Sequence, residues 1–381
     1  MNGFGDIELT GPRLTLRPWR PEDAPAVHAA MQDRSMHRFL ALPDPYTESD
    51  AQQFVTELGH EGRYDGGGIG CAVVERSSGR LVGSAALRMG PPAGDGEIGY
   101  WIAAPARGAG YAAEAVGVLA DFGFDAGLAR IRIVSDVGNL ASISTALRAG
   151  FSYEGIARAA LLSGDAAPGG QRRGPAARFA ALPSDARTPI GSAFVRLAEP
   201  FPDDGVIRIR PTEPGDAERM FEAEDDVARG WGFTAEEPTR AAFDERAARA
   251  GLEWLVGETA RMTIVDLALG EPAGFLDLRR SGPPGVGGIG YTVHPAFRGR
   301  GYTARALHLV SRWAFDHAHF ARLELGAKIG NIASQRAALA GGFEPDGVRR
   351  VRLRNPDGTY SDEARFALVN PAFASPSRIS P

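Results

Sequence analysis

Two kinds of pattern alternate along the chain. Runs in which apolar and polar residues take turns, such as LVGSAALRM (81–89) and AGFLDLRR (273–280), have the period of two expected of half-buried strands. Segments such as APAVHAAMQ (24–32) and AERMFEAED (217–225) read as helices. Further on, Ala115, Leu119 and Phe122, and again Ala306, Val310 and Trp313, recur at i, i+4 and i+7, which marks one buried helix face in each place. The order of elements also repeats. An opening strand leads to helices, then to alternating strands, a strand EIGYWIAA or GIGYTVHP, a glycine-rich turn, a long helix, a strand RIRIVSD or RLELGAK, a short helix and a closing hairpin. This alternation predicts an α/β (α+β) domain, with a mixed central sheet flanked by helices, built twice.

The residues confirm the duplication. LTLRPWRPEDA matches IRIRPTEPGDA and pairs Arg17 with Arg210; PARGAGYAAEA matches AFRGRGYTARA and pairs Arg107 with Arg298; GNLASISTALRAGF matches GNIASQRAALAGGF and pairs Asn139 with Asn331. ARFAAL and ARFALV close the halves. An offset near 192 residues is far beyond the roughly 20–50 residues of a solenoid unit, so the repeat is a whole domain. The expected boundaries are 1–182 for the first domain, 183–205 for a linker rich in Pro, Gly, Ser and Asp with a short strand at AFVRL, 206–371 for the second domain, and 372–381 for a loose tail.

A glycine-rich turn that feeds a helix leaves backbone N–H groups unpaired and aimed at one point, where the helix dipole adds positive potential. Arg107, Gly108, Ala109, Gly110, Tyr111 and Ala112, and Arg298, Gly299, Arg300, Gly301, Tyr302 and Thr303, therefore form candidate pyrophosphate cradles, with Arg300 adding a charge that Ala109 does not. The turns also fit G-x-G-x-x-A, the dinucleotide fingerprint. That motif needs an acidic residue ending the next strand; the first copy offers Asp136 but the second offers Lys328, which argues against it.

Composition narrows the partners. The 381 residues are 44% hydrophobic and 23% charged, with a net charge of −5, so nothing global favours nucleic acid or an anionic membrane. No signal-like start or run of about 20 apolar residues stands out, and a soluble cytoplasmic protein is expected. Cys71, the single cysteine, lies in the apolar run GIGCAVVE and reads as a buried small hydrophobe. Lys328 is the single lysine, and either selection against self-acylation or base composition accounts for the scarcity. His317 and His319, two apart on a helix, make a poor metal pair, and no zinc or P-loop spacing occurs, so no metal is expected.

Arg-Gly-x-Gly-Tyr-small after a strand, then Asn-x-x-Ser about 32 residues later, then Gly-Phe 11 residues after the Asn, resembles the GNAT N-acyltransferase superfamily. The LRP openings, the GYW strand and the ARFAL closing strand look most like the branch that acetylates N-terminal amines of ribosomal proteins. The resemblance spans both copies. It implies two consecutive GNAT-like domains that transfer acetyl from acetyl-CoA to a primary amine of a small molecule or peptide, with the two turns as coenzyme sites and Asn139 and Asn331 near the coenzyme. It further implies Ser142 and Ser334 as donors to the departing thiolate, since the tyrosine many members carry seven residues after the Asn is here Ala146 or Ala338. Capping of the short helices by Asn139 and Asn331, with solvated serines, is the competing reading. Glu97 begins the EIGYW strand as the branch has it, whereas the second copy has Gly288; Asp362 precedes the last strand of the second copy, whereas the first has Pro175. On this basis the first copy is expected to be catalytic, with Glu97 as base through water. The acceptor surface implied by the resemblance comes from 38–54 and 222–240; in the second, Glu222, Glu224, Asp225, Asp226, Glu236 and Glu237 would attract a cation or form a solvated helix face, and Trp231 and Phe233 would line a pocket or join the core. A sensor or scaffold that binds acyl-CoA without turnover is the alternative function.

Overall fold

The structure, a computed structural model, describes residues 4–162, 173–191, 194–233 and 236–373. It divides into two compact units, Met1–Gly191 and Ser192–Pro381. Unit 1 contains β1 (Leu9–Thr10), β2 (Leu14–Arg17), α1 (Ala24–Met31), α2 (Arg34–Phe39), α3 (Glu48–Thr56), β3 (Gly68–Glu75), β4 (Leu81–Gly90), β5 (Asp95–Ile102), α4 (Tyr111–Asp125), β6 (Arg130–Asp136), α5 (Leu140–Arg148), β7 (Ser152–Leu162) and β8 (Arg173–Ala181). Unit 2 contains β9 (Ile207–Pro211), α6 (Ala217–Glu222), α7 (Asp226–Gly230), α8 (Arg240–Val256), β10 (Ala260–Asp266), β11 (Glu271–Arg280), β12 (Val286–Val293), α9 (Tyr302–Asp316), β13 (Arg322–Lys328), α10 (Ile332–Ala340), β14 (Glu344–Arg354) and β15 (Tyr360–Val369).

Each unit builds one mixed sheet, with strand order β1-β2-β3-β4-β5-β6-β8-β7 in unit 1 and β14-β15-β13-β12-β11-β10-β9 in unit 2. Hairpin-like connections make most neighbours antiparallel; β5 with β6 and β12 with β13 run parallel, because α4 and α9 carry the chain back between them. The expected helix faces are in place. Ala115 and Leu119 of α4 are buried and Phe122 packs edge-on to Phe4, while Ala306, Val310 and Trp313 of α9 enter the core of unit 2. Cys71 is fully buried on β3, and burial pushes its thiol up, so it stays an inert hydrophobe.

AFVRL was expected to add a short strand to the linker, but Phe194 to Leu197 is irregular in the structure. Phe194 and Leu197 are buried in the core of unit 2, with Phe194 stacked on Phe320 and edge-on to Trp254. Side-chain burial, not sheet pairing, holds this segment. The tail beyond Phe373 lies outside the described residues.

The LRP and IRP openings share one device. Arg17 donates from both terminal nitrogens to Asp23 (2.7 and 2.8 Å), and Arg210 does the same to Asp216 (2.7 Å each). These bidentate pairs fasten the end of a strand to the turn that starts the first helix. Asp216 is nearly fully buried and also accepts from the Glu213 amide and the Thr263 hydroxyl. Burial raises its carboxyl pKa, but Arg210 and those donors outweigh it and hold the carboxyl below its ordinary value.

Arg210→Met therefore leaves a buried carboxylate without its cation and is expected to cost unit 2 about 3–5 kcal/mol in urea unfolding at neutral pH. A group whose folded pKa is depressed stabilises above its unfolded value, near 3.9, and loses that contribution as pH falls. The gap between wild type and variant should shrink in acid.

Candidate active site

The two parallel strand pairs are paired along only part of their length. β5 and β6 match at Asp95–Arg130, Gly96–Ile131 and Glu97–Arg132; β12 and β13 match from Val286–Arg322 to Ile289–Leu325. Beyond those rungs the strands diverge. Ile98, Gly99 and Tyr100 face Ile133 to Asp136 across a cleft of about 160 Å³ in unit 1, and Gly290 and Tyr291 face Gly326 to Lys328 across a cavity of about 1050 Å³ in unit 2. Arg38, Phe39 and Leu40 are among the residues that line the cleft of unit 1.

The glycine turns stand where α4 and α9 begin. Gly108 and Gly110 have φ of +79° and +82°, and Gly299 and Gly301 have +76° and +74°. A Cβ at Gly301 would meet nothing within 4 Å, so left-handed backbone rather than crowding selects glycine there. No side chain caps either helix. The first intrahelical bonds are Glu114 N–H to Gly110 O and Arg305 N–H to Gly301 O, which leaves the amides of Tyr111, Ala112 and Ala113, and of Tyr302, Thr303 and Ala304, without helical partners. These orphan donors fit an anion such as a coenzyme pyrophosphate.

The side chains of the turn point elsewhere. Arg107 donates to Ile102 O and Ser35 and ion-pairs with Asp33 at 2.8 Å; Arg298 donates to Val293 O and to both oxygens of Asp225 at 2.7 and 2.8 Å. Arg298 and the Ala228 amide hold the Asp225 carboxyl down at about 2 despite the opposing effect of burial. Tyr111 and Tyr302 are buried, with their hydroxyls bonded to Glu75 and Asp266. The backbone is thus left for a ligand, while the side chains fasten the turn to its own unit. Arg300 lies over the Phe297 ring. The first turn has a cation too, which sequence reading missed. Arg13 reaches Ala109 O (2.9 Å), pairs with Glu114 and lies over the Tyr111 ring.

Asn139 and Asn331 cap α5 and α10, accepting from the Ser142 and Ser334 amides at 3.2 and 3.1 Å. The serines are not simply solvated. Tyr100 and Tyr291, from the diverging strands, lie 2.9 Å from the Ser142 and Ser334 hydroxyls and donate towards the carbonyls of the same serines at 3.0 and 3.1 Å. Burial pushes the Tyr100 phenol up to about 12 and Tyr291 in the same direction, so both remain protonated donors at neutral pH. Ala146 and Ala338 are buried core residues.

Glu97 occupies the last paired rung of β5, ion-paired to Arg132 at 2.9 Å, and is not among the residues lining the cleft. Asp362 accepts from the Val351 amide at 2.8 Å and steadies the irregular strand β14. Three of the six acidic residues of the 222–240 segment are engaged by arginines: Asp225 with Arg298, Asp226 with Arg229, and Glu222 with Arg219. Glu224 lines the cavity, and desolvation there raises its carboxyl pKa. Trp231 and Phe233 are exposed and line the cavity instead of joining the core. Among the described residues no cluster suits a metal ion, and no helix is long and apolar enough to cross a membrane.

The acetyltransferase (GNAT) domain model matches twice, over residues 13–152 and 207–344. No curated protein matches the chain significantly. Similar solved structures include a candidate ribosomal-protein-serine acetyltransferase from Vibrio cholerae (26% identity, 47% of this chain and 98% of that one, TM-score 0.41) and the ribosomal-protein-S5-alanine acetyltransferase from Vibrio fischeri (17%, 46% and 99%, TM-score 0.42). Another is Mycobacterium smegmatis RimJ in complex with CoA-disulfide (19%, 44% and 84%, TM-score 0.40).

Asp225→Asn should release Arg298 and loosen the second turn, while the amide oxygen still caps α7 at the Ala228 amide. Amide hydrogen exchange at 298–303 is expected to quicken, while thermal stability falls by less than about 1 kcal/mol because the pair is partly exposed.

Proposed function

This chain belongs to the GNAT acetyltransferase family and carries two of its domains, and from that premise we propose that it is an acetyl-CoA-dependent N-acetyltransferase acting on a primary amine of a small molecule or a peptide N-terminus. One observation carries the reading: in each unit a parallel strand pair opens beside an uncapped helix start with positive-φ glycines. Such a site offers backbone donors to phosphates and a slot between strands for an extended chain. When bound, acetyl-CoA supplies the activated acetyl group as a thioester.

The residues of the chain divide the remaining work. The amides of 111–113 and 302–304, with Arg13 and Arg300 beside them, hold negative charge at the turns. Asn139 and Asn331 fix the starts of α5 and α10 and thereby place the serines. The proposed role needs the Tyr100 or Tyr291 phenol, protonated at neutral pH, to give its one proton to the serine oxygen rather than to the serine carbonyl, which leaves the serine O–H free to stabilise a thiolate. An amine acceptor, ordinarily protonated with a pKa near 10, must give up a proton before it can attack. Glu224 in unit 2 and Glu97 in unit 1 are the carboxylates proposed to accept it, Glu97 through water.

The open cavity of unit 2 favours that unit as the main site of turnover, although its sequence departs from the branch at Gly288. A second reading follows from the narrow cleft of unit 1: that unit binds coenzyme and turns over slowly or not at all. The proposal places the protein in the cytoplasm.

Calorimetric titration with acetyl-CoA should count two sites, and Gly110→Val and Gly301→Val should each remove one, through backbone strain at positive φ. Ser334→Ala is expected to lower kcat about 100-fold with coenzyme affinity unchanged, and Ser142→Ala to lower it far less. The opposite ranking would assign the chemistry to unit 1.

A further inference from the structure

Lys328 ends β13 at the edge of the cavity of unit 2. Only 4% of it is exposed, yet it forms no ion pair among the described residues. Its ammonium has three donors, of which one goes to Gly232 O while the Phe233 ring lies 5.5 Å away. The charged groups around it do not satisfy it. Glu363 stands opposite in the β13–β15 ladder but turns its carboxylate over Gly326, and Asp357 acts only from a distance. Among the described residues, Arg246 and Arg336 on the cavity wall form no ion pair either, and Glu224 is the one lining carboxylate outside the Arg261–Asp277–Arg279 network. Desolvation accordingly lowers the Lys328 pKa. A buried cation on a cavity wall, with one hydrogen-bond acceptor and no anionic partner among the described residues, is completed by an anion that enters the cavity.

We propose that unit 2 selects an acceptor that carries a carboxylate as well as its amine, and that Lys328 is the partner of that carboxylate. This rests on the acetyltransferase reading of unit 2. Lys328 touches Gly232 and Phe233, in the segment to which the resemblance assigns acceptor binding, and Trp231 of the same segment packs beside Gly330 in the loop that follows β13. Unit 1 has Asp136 at the matching place, with its carboxylate accepting from the Gly138 amide at 2.8 Å. The duplicated position has therefore changed sign, and the two units present opposite charges to whatever enters beside β6 or β13.

One lysine in 381 residues makes the test direct. Full-length protein labelled with [13Cε]lysine should give a single resonance whose pH titration reports Lys328. With coenzyme A bound, glycine or acetate should raise the titration midpoint, because an anion binds the protonated amine and stabilises it. Glycinamide, which keeps the amine and lacks the acid, should not. In the transfer assay, Lys328→Met should raise KM for carboxylate-bearing amines about 10- to 100-fold, leave KM for their amides within about twofold, and spare coenzyme affinity. Thermal stability of the variant should hold, since an apolar residue of similar length replaces a desolvated charge.

Several outcomes would overturn the proposal. These are a midpoint that no carboxylate probe moves, one that glycinamide moves equally, one already raised in full by coenzyme A alone, or an acetyl group found on Lys328 by peptide mass. Absence of coenzyme binding to unit 2 would instead remove the reading on which the proposal rests.

Discussion

Each unit is organised by the early end of one parallel ladder. Backbone N–H and C=O groups that leave a sheet must find other partners, and a mixed sheet interrupted at its centre would ordinarily be closed by another strand or by side chains. Here β5 from β6, and β12 from β13, separate after three and four matched positions, and the opening persists because groups on either side are pinned independently. Tyr100 and Tyr291 tie one lip of the opening to α5 or α10, and the Asn caps fix the starts of those helices. Strand β2 of unit 1 and strand β9 of unit 2 are each anchored by an arginine–aspartate pair. A polar network is thus committed to keeping a gap open.

The gap also explains how the copies diverge. Framework residues recur at matched places, as with Arg17 and Arg210 or Ser142 and Ser334, while charges beside the gap differ. Unit 1 brings a guanidinium to its turn from Arg13, with Ala109 in the turn itself; unit 2 has Val206 at the place of Arg13 and Arg300 at the place of Ala109. The same positive potential is delivered from two different strands of sequence. Arg38 to Leu40 line one cleft, and the exposed Trp231 and Phe233 line the other.

Much of the scaffold was legible because it rests on local pattern. Period-two strands, helical stripes and positive-φ glycines leave their mark within a few residues, and duplication doubled every mark. The contacts that decide chemistry were less legible because they are non-local. Tyr100 lies 42 positions from Ser142, and no spacing rule links them, although its repetition at Tyr291 and Ser334 was available as a signal. The Arg13 substitution was likewise visible only as a reciprocal change between aligned copies. The acidic segment of unit 2 misled for a physical reason: charges read along a sequence look free, whereas Asp225, Asp226 and Glu222 are spent on neighbouring arginines. The linker misled similarly, since Phe194 is held by ring stacking that leaves no periodicity.

Tyr111 and Tyr302 occupy the first position of their helices, with the phenol fastened to Glu75 or Asp266 and the amide left facing outward. A loop that orders around phosphate loses conformational entropy at the moment of binding, typically about 1–2 kcal/mol for each backbone residue fixed. Here that ordering is already complete in the folded chain. Capture at these turns should therefore proceed as a rigid encounter, governed by diffusion and electrostatic attraction rather than by a slow rearrangement of the protein.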